Sequence, residues 1–316
     1  MTRVLVTGGN GFLGSSVVAG LAASAGVDVV VSGDVRDPTR TVAGVVYEHV
    51  DITQPEQLQA TMREHRIDTV VHLAAIMNPG PHITREQEYR VDVDGTRHVL
   101  DACLAAGVRR IVVSSSGAAY GYHRDNPEWI IETDAIRGNP EFAYSDHKRL
   151  VENLLAEARE QHPELEQVVF RIGTILGATV DNQITALFER RRVLAIAGSD
   201  SPFVFIWDED VVACMVRAAT DGPAGIFNLA GDGAVTVHEL AGMLGKKLTV
   251  LPAWLLTTVL AVGKLLRATR YGPEQVGFLR YRPVLSNERL KNDFGYSPKK
   301  TSLEALEAWK VARSRR

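Results

Sequence analysis

The chain opens on a short apolar run, Val4-Leu5-Val6, with no polar position inside it. A β-branched run of that length fits a strand buried on both faces of a parallel sheet better than one with a wet face. Thr7-Gly8-Gly9 ends it as a turn. From Asn10 or Gly11 the spacing becomes helical, with apolar residues at Phe12, Leu13, Val17, Val18 and Leu21. The alternation recurs. Asp28–Ser32, Val45–Val50, Thr69–Leu73 and Arg110–Ser114 read as strands. Stretches at about 85–106, with Gly95 inside, and about 140–161 read as helices. Thr53 stands where it would cap a helix that has Pro55 and Glu56 in its first turn. Such an order predicts a parallel sheet covered on both faces, with its ligand site beyond the carboxyl ends of the strands.

Composition narrows the class without changing the architecture. The 316 residues are 45% apolar and 23% charged, which describes a globular chain with an ample core. A net charge of −3 gives no ground for a nucleic-acid surface, and the basic tail Arg313–Arg316 reads as a frayed terminus. Cys103 and Cys214 sit in apolar helical surroundings and are expected to be buried thiols rather than a disulfide or metal site. The first strand begins by residue 3, so no leader is expected before it, and a cytoplasmic location is the expectation. Pro252–Arg267 is apolar for about a dozen residues, short of the roughly 20 that cross a bilayer. A helix covering a pocket is expected there, with peripheral membrane contact as the lesser alternative.

The candidate chemistry begins at the first turn. Gly9, Gly11 and Gly14 satisfy G-x-G-x-x-G, and Gly8, Gly11 and Gly14 satisfy the wider T-G-x-x-G-x-x-G form. Between a strand and a helix, these glycines permit a tight turn, close approach of backbone to a pyrophosphate, and close helix packing. Phosphates then sit on the free N–H groups at the positive end of the helix. Asp34, twenty residues past Gly14, is placed to accept hydrogen bonds from adenosine ribose hydroxyls. Its charge favours NAD, while Arg36 and Arg40 beside it leave NADP as the other option. Asp51 is placed to reach the adenine edge, and the small Ala74 and Ala75 after the fourth strand let the backbone lie against a cofactor.

Tyr144 and Lys148 are four residues apart and share a helix face. An ammonium beside a phenol favours the phenolate and would lower its pKa toward acid–base use. Ser116, ending the fifth strand, is placed to hold the same substrate oxygen.

The chain resembles the extended short-chain dehydrogenase/reductase family, of the nucleotide-sugar epimerase and dehydratase type. The resemblance is carried by TGGNGFLG at 7–14, Asp51, HLAA at 72–75, SSSGAAYG at 114–121, YSDHK at 144–148 and FRIGTILG at 170–177. It continues more weakly through WDEDVV at 207–212 and IFNLAG at 226–231. It implies an α/β fold: a Rossmann-type doubly wound parallel sheet with a smaller, mostly C-terminal substrate lobe. The sheet domain would take 1–177 plus about 204–231, and the lobe about 178–203 and 232–316. The resemblance implies that Ser116, Tyr144 and Lys148 act together, with Lys148 also holding the nicotinamide ribose. The cofactor cradle expected in full is Gly8, Gly11, Phe12, Leu13, Gly14, Asp34, Arg36, Asp51, Ile52, Leu73, Ala74, Ala75, Ser114, Tyr144 and Lys148. No metal is expected. A homodimer through the helices near 85–106 and 140–161 is implied as well.

Two departures stand against the family pattern. Where it has asparagine in N-V-x-G-T, this chain has Asp92 in D-V-D-G-T. An ionised aspartate accepts hydrogen bonds but donates none, so a water relay through that position is put in question. Where nucleotide-sugar members read R-D-F-I-H-V-D-D, Phe203 replaces the arginine and Trp207 the histidine. A diphosphate would lose a charge-assisted partner there. Arg190, Arg191 and Arg192 are nearby cations, otherwise read as a solvated helix end. Ile76, Ser116, Phe203 and Trp207 are the candidate substrate contacts. Phe188, Phe205, Trp254, Leu255, Leu256, Tyr271, Phe278 and Tyr281 make the rest of the lobe apolar, some as core and some as lining. Asn287–Phe294 and Ser302–Ala312 are expected as final helices around a loop at Gly295–Pro298.

These readings converge on reversible NAD(P)-dependent hydride transfer at a secondary alcohol or ketone of a small, largely apolar molecule. The alternatives are a nucleotide-sugar epimerase or dehydratase with tightly bound NAD, and a non-catalytic NAD(P)-binding sensor.

Overall fold

The computed structural model describes residues 1–77, 79–80, 82–266, 272–273 and 275–315. Strand β1 (Thr2–Thr7) leads into helix α1 (Phe12–Ala22), then β2 (Val27–Asp34), β3 (Val45–His49), α2 (Pro55–Glu64) and β4 (Thr69–His72). One helical rod follows in three parts: α3 (Arg85–Tyr89), a π turn (Arg90–Asp94) and α4 (Gly95–Ala106). Next come β5 (Arg110–Ser116), α5 (Ala143–Gln161), β6 (Glu166–Ile172), β7 (Thr174–Leu176), α6 (Gln183–Glu189) and β8 (Arg192–Ile196). The chain continues through β9 (Phe205–Trp207), α7 (Asp208–Thr220), β10 (Gly225–Leu229), α8 (Val237–Leu244) and β11 (Lys247–Leu251). It ends with α9 (Ala253–Leu265), α10 (Gln275–Arg280), α11 (Glu288–Asn292) and α12 (Ser302–Ser314).

Seven strands form one parallel sheet in the order β10-β6-β5-β4-β1-β2-β3. The sequence alternation is thereby realised as a Rossmann-like α/β fold. On one face, Val17, Val18 and Leu21 of α1 and Val211, Cys214 and Met215 of α7 are buried against the sheet. On the other, Leu58 and Met62 of α2, Val99 and Cys103 of α4, and Val151 and Leu155 of α5 do the same. Both cysteines are free and buried, and burial pushes both thiols up. Two short parallel pairs, β7 with β9 and β8 with β11, lie outside the main sheet.

Some local expectations change. Thr53 does not cap α2; its N–H and hydroxyl both donate to Asp51 Oδ1, and Gln54 takes the cap position without a side-chain bond. The helix expected from about 140 starts at Ala143, after Phe142. The helix expected unbroken over 85–106 is widened by the π turn that carries Asp92. Such turns are uncommon and cluster at functional sites.

Candidate active site

The turn after β1 is built for close approach. Gly8 has φ of +71°, and a Cβ on it would lie 2.7 Å from Ala74 N. A Cβ on Gly14 would lie 2.1 Å from Gly8 O, inside any van der Waals contact. Gly11 is the N-cap of α1 and no side chain caps that helix end. Phe12, Leu13 and Gly14 therefore open the helix with amides and dipole facing outward, a ready anion site. Asp34, at the end of β2, is buried and accepts from Asn10 N at 3.1 Å and Arg36 N at 3.0 Å. Arg36 folds back on that carboxylate, its Nε 3.3 Å from Oδ1, while remaining largely exposed. Ile52 is buried beneath Gly95, and Leu73 N donates to Thr7 O at 3.0 Å. A glycine cradle that any side chain would fill, an uncapped helix N-terminus and a ribose-height carboxylate together fit a dinucleotide.

The candidate catalytic groups are Ser116 at the carboxyl end of β5 and Tyr144 and Lys148 on α5. Tyr144, in the first turn of α5, has the Ser116 hydroxyl close enough to favour its phenolate, while Ser116 Oγ itself accepts from Ala118 N at 3.1 Å. Burial pushes the Tyr144 phenol up to about 12; the Ser116 hydroxyl acts against this and the Asp92 charge adds to it. Lys148 Nζ lies 5.9 Å from the Tyr144 ring centroid and donates to Ser114 O at 2.8 Å. The tyrosine is thus raised by burial in this arrangement, where the spacing to its lysine predicts a lowered phenol. Burial also lowers Lys148, with Asp92 and Glu152 opposing. Ser115 is turned the other way, its hydroxyl 2.5 Å from Glu152 Oε1 in a buried network with Arg171. Ser116 is therefore the serine that faces Tyr144.

Beneath Lys148 is a cavity of about 10 Å³ lined by His72, Ala74, Ala75, Asp92, Thr96, Val113, Ser114 and Val151, room for about one water. Thr96 Oγ1 gives its one proton to Asp92 O at 2.6 Å, so His72 Nε2 donates to Thr96 and His72 Nδ1 accepts from Thr7. Burial drops His72 to about 3, consistent with that neutral tautomer. Asp92 Oδ1 accepts from Ile76 N at 2.8 Å, and Oδ2 lies 3.1 Å from His147 Nδ1. His147 Nε2 is buried with no partner. The substitution of the family's asparagine thus comes with a buried histidine from α5, a pairing that spacing alone did not reveal.

Phe203 and Trp207 are placed differently from the expectation. Both are buried in the lobe core with Phe188, Phe205 and Trp309 rather than open to a ligand. Phe203 stacks on Phe205 with ring centroids 5.5 Å apart, and Trp207 has Lys300 Nζ 5.4 Å from its ring. The expected loss of a cation is corrected too. The Arg282 guanidinium lies 3.8 Å from the Phe203 centroid, a cation–π contact that holds it flat. It donates to Ser201 O at 2.8 Å, and its Nε is buried without a partner. Arg190, Arg191 and Arg192 are exposed instead. Arg282 was missed because Phe203 and Arg282 are remote in sequence and meet only through folding. From Arg282 an aromatic row runs back to Tyr144. Phe278 lies 5.1 Å from Tyr122, Tyr122 5.8 Å from Phe142, and Phe142 6.4 Å from Tyr144. Trp254 is exposed, and Tyr271 lies outside the described residues.

A parallel sheet with a glycine turn and a serine–tyrosine–lysine cluster at its carboxyl edge defines a nucleotide-dependent enzyme class. The NAD dependent epimerase/dehydratase family matches residues 4–230, and the chain belongs to it. An uncharacterized protein of Mycobacterium tuberculosis is 26% identical over 312 residues, covering 96% of this chain and 82% of that one. A UDP-glucose 4-epimerase of Azospirillum brasilense is 34% identical over 218 residues, covering 63% of this chain and 60% of the relative. Among solved structures, Thermus thermophilus UDP-glucose 4-epimerase in complex with NAD is 26% identical, with a TM-score of 0.74 and 98% of each chain covered. MoeE5 in complex with UDP-glucuronic acid and NAD shares the fold at 23% identity, with a TM-score of 0.75 and 99% of each chain covered.

Proposed function

We propose that the chain is an NAD-dependent oxidoreductase acting at a secondary alcohol or ketone carbon of a small, largely apolar substrate. The observation that carries this is the convergence of Ser116, Tyr144 and Lys148 beside the glycine cradle at the carboxyl edge of the sheet. NAD, held by the α1 N-terminus, Asp34 and Lys148, would supply or accept the hydride. In reduction, Tyr144 donates its proton to the substrate oxygen while Ser116 holds that oxygen in line. Lys148 places its charge beneath the phenol and balances the anion that proton donation leaves behind. A phenol at about 12 keeps its proton at neutral pH, which suits it to the acid role. The aromatic row from Tyr144 to Phe278 supports an apolar substrate face.

A second reading is favoured by one observation. Arg282 keeps an unpartnered buried N–H above Phe203, an anchor suited to phosphate. With UDP-glucose 4-epimerases among the relatives, this supports a nucleotide sugar, interconverted with no net redox change. The two readings separate in one assay series. Purified protein is given NADH with a panel of apolar ketones, then given UDP-sugars. Loss of NADH with the ketones supports the first reading. Sugar interconversion with no net change in NADH, abolished by Arg282→Met, replaces it with the second. A non-catalytic sensor is tested by Tyr144→Phe: function that survives this change with cofactor bound would sink both enzymatic readings. The family reading also carries a homodimer through α4 and α5, which sedimentation of the purified chain tests.

A further inference from the structure

Helix α9 is set against the rest of the molecule without a single buried residue. Its exposed positions are Trp254, Thr258, Val259, Ala261, Val262, Lys264 and Leu265, with Leu266 just past its end, and the apolar ones among them recur at helical spacing as one stripe. Trp254 is 69% exposed, Leu265 82% and Leu266 70%. Val250, just before the helix on β11, is more than half exposed as well. An apolar stripe of this extent on a water-facing helix marks a contact surface. The helix also hides its polar atoms. The hydroxyls of Thr257 and Thr258 donate back to the carbonyls of Ala253 and Trp254 at 2.9 Å, so neither needs water as a partner.

The charge written along this stretch of sequence favours one occupant. From residue 240 to residue 273 the chain has no aspartate or glutamate, but it has Lys246, Lys247, Lys264, Arg267 and Arg270. A two-fold contact between copies would set this positive stretch against itself. An anionic lipid surface would be attracted to it, at about 1 kcal/mol per basic residue near the surface. A helix of 13 residues cannot span a bilayer, and among the described residues no helix is long and apolar enough to do so. Trp254 at one end, an aliphatic stripe between and Lys264 near the other end suit a helix lying in the interface plane.

We propose that α9 docks the enzyme on an anionic membrane surface, its Trp254–Leu266 stripe entering the headgroup boundary. The inference stands on the exposed helix and the charge of its sequence stretch, apart from the choice of substrate. Its test is co-sedimentation of the full chain with large vesicles of phosphatidylcholine alone or mixed with phosphatidylglycerol, read together with tryptophan emission. The expected result is pelleting with the anionic vesicles, weakened by added salt, and a blue shift that Trp254→Phe removes. Leu265→Glu combined with Leu266→Glu should cut that binding at least about tenfold, with the thermal transition unmoved because both side chains are exposed. Absence of pelleting, or equal pelleting with neutral vesicles, overturns the proposal. So does a dimer in sedimentation that the same double variant abolishes, which would assign the stripe to a second copy of the chain.

Discussion

Tyr144 holds its proton against one influence that would remove it. Ser116 favours the phenolate, yet burial keeps the phenol near 12, with Lys148 Nζ 5.9 Å from the ring centroid. Below that pH the neutral form dominates, so proton donation is available at neutral pH while proton abstraction is not. The expected pH profile therefore rises toward alkaline pH in the oxidation direction and stays flat through neutrality in reduction, as initial rates over a pH series would show. Asp92 adds negative charge that holds the phenol up. Asp92→Asn should move the rising limb of oxidation to lower pH, while Asn keeps an acceptor for Ile76 N. A limb that stays in place or moves to higher pH contradicts that role. Tyr144→Phe should lower turnover by roughly 10²–10⁴-fold with NAD binding kept, as nucleotide titration would record. Gly14→Ala should instead abolish NAD binding, because its Cβ would fall 2.1 Å from Gly8 O.

At the scale of elements, α5 matters because it positions both Tyr144 and Lys148. Val151 and Leu155 bury its inner face, and Glu152 ties it to β6 through Arg171 at 2.9 and 3.0 Å. Arg171 also donates to Tyr120 Oη at 2.9 Å, and Tyr120 to Asn228 Oδ1 at 2.8 Å, so one buried network joins α5, β6 and β10. Arg171→Met leaves Glu152 uncompensated and should cost about 3–5 kcal/mol in urea unfolding. A loss below about 1 kcal/mol would place the pair in the class of exposed bridges. The alternation of apolar runs and helical stretches made the sheet legible, because short β-branched runs and the 3.6 period are written locally. The glycine turn and the Tyr144–Lys148 spacing were legible for the same reason. The π turn at Arg90–Asp94 was not, since nothing in local propensity distinguishes it from continuous helix. Nor were the His147–Asp92 contact and the seat of Arg282 on Phe203, which join elements that only the tertiary fold brings together.

At the scale of the molecule, chemistry and surface are separated. The candidate catalytic cluster sits at the carboxyl edge of the sheet, while the apolar stripe of α9 faces outward from the C-terminal half. The two proposals therefore stand on separate parts of the chain, and the chemical one is tested at the Ser116–Tyr144–Lys148 cluster. The most direct measurement of that cluster's competence is single-turnover oxidation of NADH by the purified chain with an apolar ketone, comparing the wild type with Tyr144→Phe and Ser116→Ala. The account predicts stoichiometric loss of NADH absorbance with the wild type and a rate lowered by at least about 10²-fold in each variant, with NADH affinity unchanged. Equal rates in all three proteins, or loss of NADH that does not depend on the ketone, would contradict it.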